Sequence, residues 1–588
     1  MTEEVIPSMG PEFVDEGVLF RVWAPSRNSV SIVFDDGMKA GMEKGEFGFW
    51  EHFIPEDCTG RRYAFVLDGK GPFPDPASRF QPGGIHGYSE VINTGKWRRE
   101  KGWRGVHISD YILEEVHIGT FTPEGTFISA VKRLPHLSKI GITAVEFMPV
   151  AQFYGKWNWG YDGVFLYAPQ NSYGRPEDLR RLVSECHREG MAAVLDVVYN
   201  HIGPVGNCLP MFGPFLSERY ATPWGKTLNF DGPYCDPVRR FILDNALYWL
   251  DEYGFDGLRL DAVHGIIDTS PKHILQELME EADALAGREN RHITIIAESD
   301  LNDPRIVMER ERCGYGITAQ WNDDFHHSIH SFLTGERNGY YEDYGDPSFI
   351  SRTLNDGFLY SGRYSHHLHK FRGSPWNGLP QWKLVVCSQN HDQIGNRAYG
   401  ERLSVLVDIH KLKAAAALVL LSPFTPMLFM GEEYGERAPF LFFIDAEDRD
   451  FADAVREGRK AEFIRFGWRD TPDPDDENTF ISSKLRWNMS GKSAAPMLRY
   501  YSHLIALRKS FIGGKRHSFF SAWTGGNVRL SYSNGFEVYV RMSKNASAVP
   551  DEGKVVMHSE WRDFGGRIER GSARGRELLP FSAVAVQL

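Results

Sequence analysis

GLRLDAVH, residues 257–264, is the stretch that decides the fold. Strands of a parallel sheet buried on both faces read as near-continuous apolar runs. Arg259, Asp261 and His264 interrupt this run where it ends, which is where the strands of a βα barrel open into the active-site mouth. Other segments of the same kind precede and follow it: AVEFMPV (144–150), AAVLDVV (192–198), ITIIAES (293–299), KLVVCSQ (383–389) and TPMLFMG (425–431). The segments between them carry helical periodicity. Leu179, Leu182, Val183 and Cys186 recur at i, i+3, i+4 and i+7, after Pro176 and before Gly190. Asp236-Pro237 and Ser270-Pro271 each read as an N-cap followed by a first-turn proline. No GxGxxG turn follows any strand, so the alternation predicts an α/β chain built on a (β/α)8 TIM barrel rather than an open dinucleotide-binding sheet.

The barrel is expected over 96–498, flanked by a β-sandwich at each end. Residues 1–95 carry short strands (VLFRVWAP, SVSIVF, YAFVL) between Gly, Pro and Asp turns, and 499–588 a helix followed by VRLSYS, FEVYVRM and SAVAVQL. A Gly/Pro-rich stretch after the third strand, about 201–235, reads as an inserted subdomain. The acidic stretch 470–477 reads as a solvated loop.

The net charge of −12 argues against a nucleic-acid partner and suits a neutral substrate. Six cysteines without a CxxC pair argue against a zinc site, though Cys208 and Cys235 fall in one segment where they could meet. The N-terminus has neither the basic start nor the apolar stretch of a signal peptide, and no apolar run approaches the roughly 20 residues of a membrane helix. The expected compartment is the cytoplasm.

Polar groups cluster at the ends of the proposed strands. The third gives Asp196 and Asn200-His201, the fourth Arg259, Asp261 and His264, the fifth Glu298, and the seventh Asn390-His391-Asp392. Arg259 and Asp261 are two apart and leave the same face of a strand, so the guanidinium should keep Asp261 anionic, as a nucleophile must be. Glu298 follows Ile295, Ile296 and Ala297 with no cation adjacent in sequence. Desolvation should keep it protonated and fit to serve as the acid. Glycoside hydrolysis uses such a pair, and a separation of about 5–5.5 Å would retain anomeric configuration.

DVVYNH (196–201), GLRLDAVH (257–264), the glutamate of IIAES (295–299) and QNHDQIGN (389–396) resemble, in order, the four signature segments of the α-amylase family, glycoside hydrolase family 13. The resemblance implies a retaining mechanism on α-glucosidic bonds, with Asp261 as nucleophile, Glu298 as acid/base and Asp392 as the third carboxylate. It implies sugar contacts from His201, Arg259 and His391, and, through WGYDGVFLYAP (159–169), from Tyr161. Residues 254–275, 320–345 and 429–436 look closest to the branch of the family that releases trehalose from maltooligosyl trehalose. Asp323, Asp324, Phe325 and His326 would then shape the leaving-group side, with His264 and Asn390 completing the binding set. The N-terminal sandwich resembles a carbohydrate-binding module. No cofactor or metal is expected, and Glu432 and Glu433 read as structural. A branching or debranching enzyme of the same family is the alternative.

Overall fold

The computed structural model describes residues 5–97, 100, 102–446, 448–465, 471–514 and 517–588. Eight parallel strands close into a barrel: β1 (Leu113–Val116), β2 (Ala144–Phe147), β3 (Ala192–Val197), β4 (Gly257–Leu260), β5 (Thr294–Ala297), β6 (Ala319–Trp321), β7 (Leu384–Val386) and β8 (Thr425–Phe429), with β8 pairing back onto β1. Leu113, Ala144, Val194, Ile296, Ala319, Val385 and Met427 meet inside it as an apolar plug. Side chains two apart along a strand share a face. Glu115, Glu146, Asp196 and Glu298 therefore stand directly above this plug, on the same interior wall. The burial that makes the strands coherent is thus what desolvates the carboxylates.

The helix Pro176–Arg188 follows its periodicity. The two proline-marked starts differ from expectation. The next helix runs Cys235–Leu247 behind a left-handed Tyr234, so Asp236 lies inside its first turn. Its successor begins at Ile274 and is capped by His273, not Ser270. Asp268 explains the delay: its carboxylate accepts from the amides of Ser270 and Ile274 and binds Arg239, which ties the proline segment into a turn.

After β3 the insert forms a short helix, Leu209–Phe212, and a hairpin, Leu216–Thr222 with Gly225–Leu228. Two antiparallel sheets make up the N-terminal module, which meets the insert through the edge-on pair Trp23–Phe215, 5.0 Å between ring centres. The helix Ala494–Phe511 leads into a five-stranded C-terminal sheet. All six cysteines are unpaired. Cys208 Sγ faces the Pro74 carbonyl at 3.7 Å rather than Cys235, because the insert packs against the N-terminal module there. Of the acidic stretch 470–477, residue 470 lies outside the described residues. Asp473 and Asp475 grip Arg456 at 2.8 and 3.1 Å, and Asp476 caps the helix Glu477–Ser482, so this segment is tethered rather than simply solvated. Among the described residues no helix is long and apolar enough to cross a membrane.

Candidate active site

Arg259 is wholly buried, and a buried guanidinium must be paired. Its Nη1 lies 2.7 and 2.8 Å from the two oxygens of Asp196 and 3.0 Å from Asp261 Oδ1. Its Nη2 lies 2.6 Å from Glu298 Oε2. The Trp321 ring covers it, 4.1 Å from the guanidinium carbon. One cation thus gathers carboxylates from β3 and from just past β4 and β5. This corrects the picture of Glu298 as a glutamate without a cation. Arg259 sits against it and burial still wins: desolvation raises Glu298, Arg259 opposes this, and the Asp261 charge raises it further. Burial likewise pushes Asp196 up to about 7 against the pull of Arg259.

The turn after β4 is bent for this purpose. Ala262 adopts a left-handed backbone, φ 38°, at a cost of about 1–2 kcal/mol for a residue with a Cβ. Its amide then donates to Glu298 Oε2 at 3.0 Å. With Oε2 beside a guanidinium and accepting from an amide, Oε1 is the oxygen left to carry a proton. Asp261 Oδ2 accepts from Asn200 Nδ2 at 3.2 Å. The Asp261 and Glu298 side chains keep 13% and 18% accessibility, where Arg259 has none, so the two carboxylates are open to a ligand and the cation is not.

Beyond β7, His391 stacks on the Tyr161 ring, 5.2 Å between centres, and reaches its hydroxyl at 2.9 Å. That hydroxyl donates to Asp196 at 2.7 Å. Burial raises Asp392, which His391 opposes, and Asn396 Nδ2 donates to it at 2.6 Å. A cavity of about 210 Å³ opens beside Asp392 and is lined by Asp323, His327, Tyr344 and Arg372. Burial, then the charges of Glu298 and Asp392, push Asp323 up to about 7. Trp224, in the turn of the insert hairpin, is 46% exposed and sits by the rings of His201 and His264. His201 is fixed by Asn200 Oδ1 and the Tyr161 carbonyl, at 2.9 and 3.0 Å.

Four residues expected to bind substrate lie elsewhere. Asp324 is buried beneath the cleft, accepting from Asn302 and from the amides of Leu359 and Tyr360. Phe325 is core, packed edge-on against Phe424. His326 spans the Ser388 carbonyl and the Tyr341 hydroxyl, at 2.8 and 2.9 Å. The reason is rotational: Asp323–Thr334 is a helix, so consecutive side chains diverge while Asp323 and His327, four apart, share the face toward the cavity. Asn390 spends its side-chain oxygen capping the turn His391–Gly395. Sequence reasoning missed Glu115, His327, Arg372 and Trp224. Two adjacent glutamates between Leu113 and Val116, one on each face of a short strand, were the available signal for the first.

Residues 88–208 match the α-amylase catalytic domain, and residues 8–80 match carbohydrate-binding module 48, the isoamylase N-terminal domain. A crystal structure from Salmonella typhimurium reported under the name alpha amylase superposes with a TM-score of 0.89 at 37% identity, over 98% of this chain and 99% of that one. The chain is 48% identical to the malto-oligosyltrehalose trehalohydrolase of Saccharolobus solfataricus, over 86% of this chain and 87% of that protein. It is 46% identical to the enzyme of the same name from Arthrobacter ramosus, over 83% and 87%. With this identity over most of its length, the chain belongs to the malto-oligosyltrehalose trehalohydrolase family.

Proposed function

We propose that this glycoside hydrolase cleaves the α-1,4-glucosidic bond next to the terminal trehalose of maltooligosyl trehalose, with Asp261 as nucleophile and Glu298 as acid/base. An Asp261 oxygen attacks the anomeric carbon as the bond to the leaving oxygen breaks, and the proton on Glu298 Oε1 passes to that oxygen, releasing trehalose. Glu298, now a carboxylate, takes a proton from water, the water oxygen attacks the same carbon, and Asp261 is freed. Two displacements retain the anomeric configuration. The observation that carries this reading is the single buried guanidinium between the two carboxylates. It pairs with Asp261 Oδ1 and, at Glu298, with Oε2 alone.

Asp392 would stabilise the positive charge that develops on the sugar. Tyr161, His201, His264 and His391 would hold the cleaved glucose, and Asp323 the leaving side. The names of the relatives support trehalose as the leaving group, and the hydroxyl-rich, uncharged sugar suits walls of aromatics and carboxylates. Product analysis on maltooligosyl trehalose, amylose and pullulan tests it. Free trehalose is expected from the first, with the maltooligosaccharide released as its α-anomer. New α-1,6 branches from amylose, or cleavage of pullulan with no trehalose released, would replace this reading with the branching or debranching alternative.

A further inference from the structure

Glu115 stands on the inner face of β1, nearly inaccessible, and holds His391 at two points. Its Oε1 lies 2.6 Å from the ring Nδ1, and its Oε2 accepts from the His391 backbone amide at 2.9 Å. The other ring nitrogen faces the Tyr161 hydroxyl at 2.9 Å, and that hydroxyl lies 2.7 Å from Asp196. Arg259 donates to both oxygens of Asp196 and the Tyr161 hydroxyl donates to its Oδ2, so the carboxyl accepts on this side. Hydrogen directions then follow along the chain. Tyr161 donates to Asp196, so its oxygen accepts from His391 Nε2–H, while Nδ1–H donates to Glu115. A ring with hydrogen on both nitrogens is an imidazolium.

We propose that Glu115 is a positioning residue that holds His391 as a cation, and that this cation keeps the adjacent Asp392 ionised under the sugar. The inference rests on the reaction proposed above. Asp392 shares the cleft with Glu298 and Asp323, two further carboxyls, and a buried carboxylate needs a compensating charge. Arg259 is committed to three other groups and Arg459 pulls on Asp392 less than His391 does, so the preceding residue, His391, supplies the largest share. Titration behaviour agrees: burial drives the His391 imidazole down, Glu115 more than offsets this, and the net direction is up. His391 is the largest influence holding Asp392 down against burial. The charged and titratable groups around His391 are Glu115 with Glu146 beside it, Tyr161, Asp196, Arg259, Glu298 and Asp392. His117 also faces it, and burial pulls this imidazole down to about 3 and so keeps it neutral.

The test is the pH profile of kcat and KM for Glu115→Gln and Glu115→Asp on maltooligosyl trehalose. Glutamine keeps the shape but not the charge, so His391 loses its proton at lower pH. Without the cation Asp392 takes up a proton at higher pH, so the acid limb of kcat is expected to move up by about one pH unit or more, with KM nearly unchanged. Aspartate keeps the charge and should restore the position of the limb. An unmoved limb in Glu115→Gln, or equal losses in both variants with no shift, would overturn the proposal. Should Glu115→Gln not fold, ¹⁵N-histidine spectra of the wild type decide, with His391 assigned by its absence in His391→Gln. Two protonated ring nitrogens at neutral pH are expected, and one would overturn it. If the wild type releases no trehalose, the substrate reading fails by itself. The profiles are then taken on whichever α-glucan the wild type cleaves.

Discussion

Alternation along β1 sends Glu115 and Glu114 to opposite faces of one strand, and the two carboxylates end in different chemistry. Glu115 faces the barrel interior, the His391 imidazole and, through it, the Arg259 hub. Glu114 faces outward toward Glu432 and Glu433, with only the Gly431 amide and the Arg402 charge to oppose its burial. Both clusters place acids and an arginine near the C-terminal ends of barrel strands. In the outer cluster, however, Arg402 is spent on the carbonyls of Ala438 and Met430, both at 2.7 Å. Glu432 accepts from Ser388, Gln389 and Tyr501, and Glu433 pairs with His136 at 2.8 Å. None of these carboxylates reaches a cleft. Buried acids alone therefore do not mark an active site. What distinguishes the inner cluster is one cation shared among carboxylates that keep one edge open.

The comparison breaks if the inner cluster can lose its charge without consequence. Asp261→Asn removes the nucleophile and leaves the shape, so kcat is expected to fall on the order of 10⁴-fold or more while substrate binding and thermal midpoint stay close to wild type. Turnover that survives would put the inner cluster on the same footing as the outer. Glu298→Gln should cost less, about 10²–10⁴-fold, and the loss should shrink for an aryl glucoside whose leaving group needs little protonation. Equal losses on both substrates would remove Glu298 from the acid role.

Much of this contrast was legible in the sequence, for reasons that also mark where reading stopped. Asp261, Glu298 and Asp392 each follow an apolar strand, and the strand-end position itself points them into the mouth. The run DDFHH was misleading because adjacency in a helix disperses side chains: Asp323 faces the cavity, and its three successors do not. Glu146 lies inside a strand read only for its apolar pattern, and Glu115 lies in LEEV, a segment too polar to read as a buried strand. The Arg259–Glu298 contact could not be read at all. It joins residues 39 apart through strand register, which periodicity along one segment does not carry.

The smallest expected effect belongs to the outer cluster and concerns stability, not turnover. Burial, then the charges of Glu433 and Glu432, push Glu114 well above the ordinary carboxyl range, whereas in the unfolded chain it ionises at about 4.3. The folded chain thus holds a proton that the unfolded chain gives up first. Stability is greatest below the unfolded value and falls as pH rises through the folded one, by at most about 1.4 kcal/mol per pH unit for one group. Glu114→Gln has no proton to release, so its thermal midpoint at fixed scan rate should decline less between about pH 5 and about pH 8 than that of the wild type. Its trehalose release should be unaltered, because the residue faces away from the cleft. Parallel declines would mean that Glu114 ionises in the fold much as it does outside it, and the outer cluster would then need a compensating cation of its own.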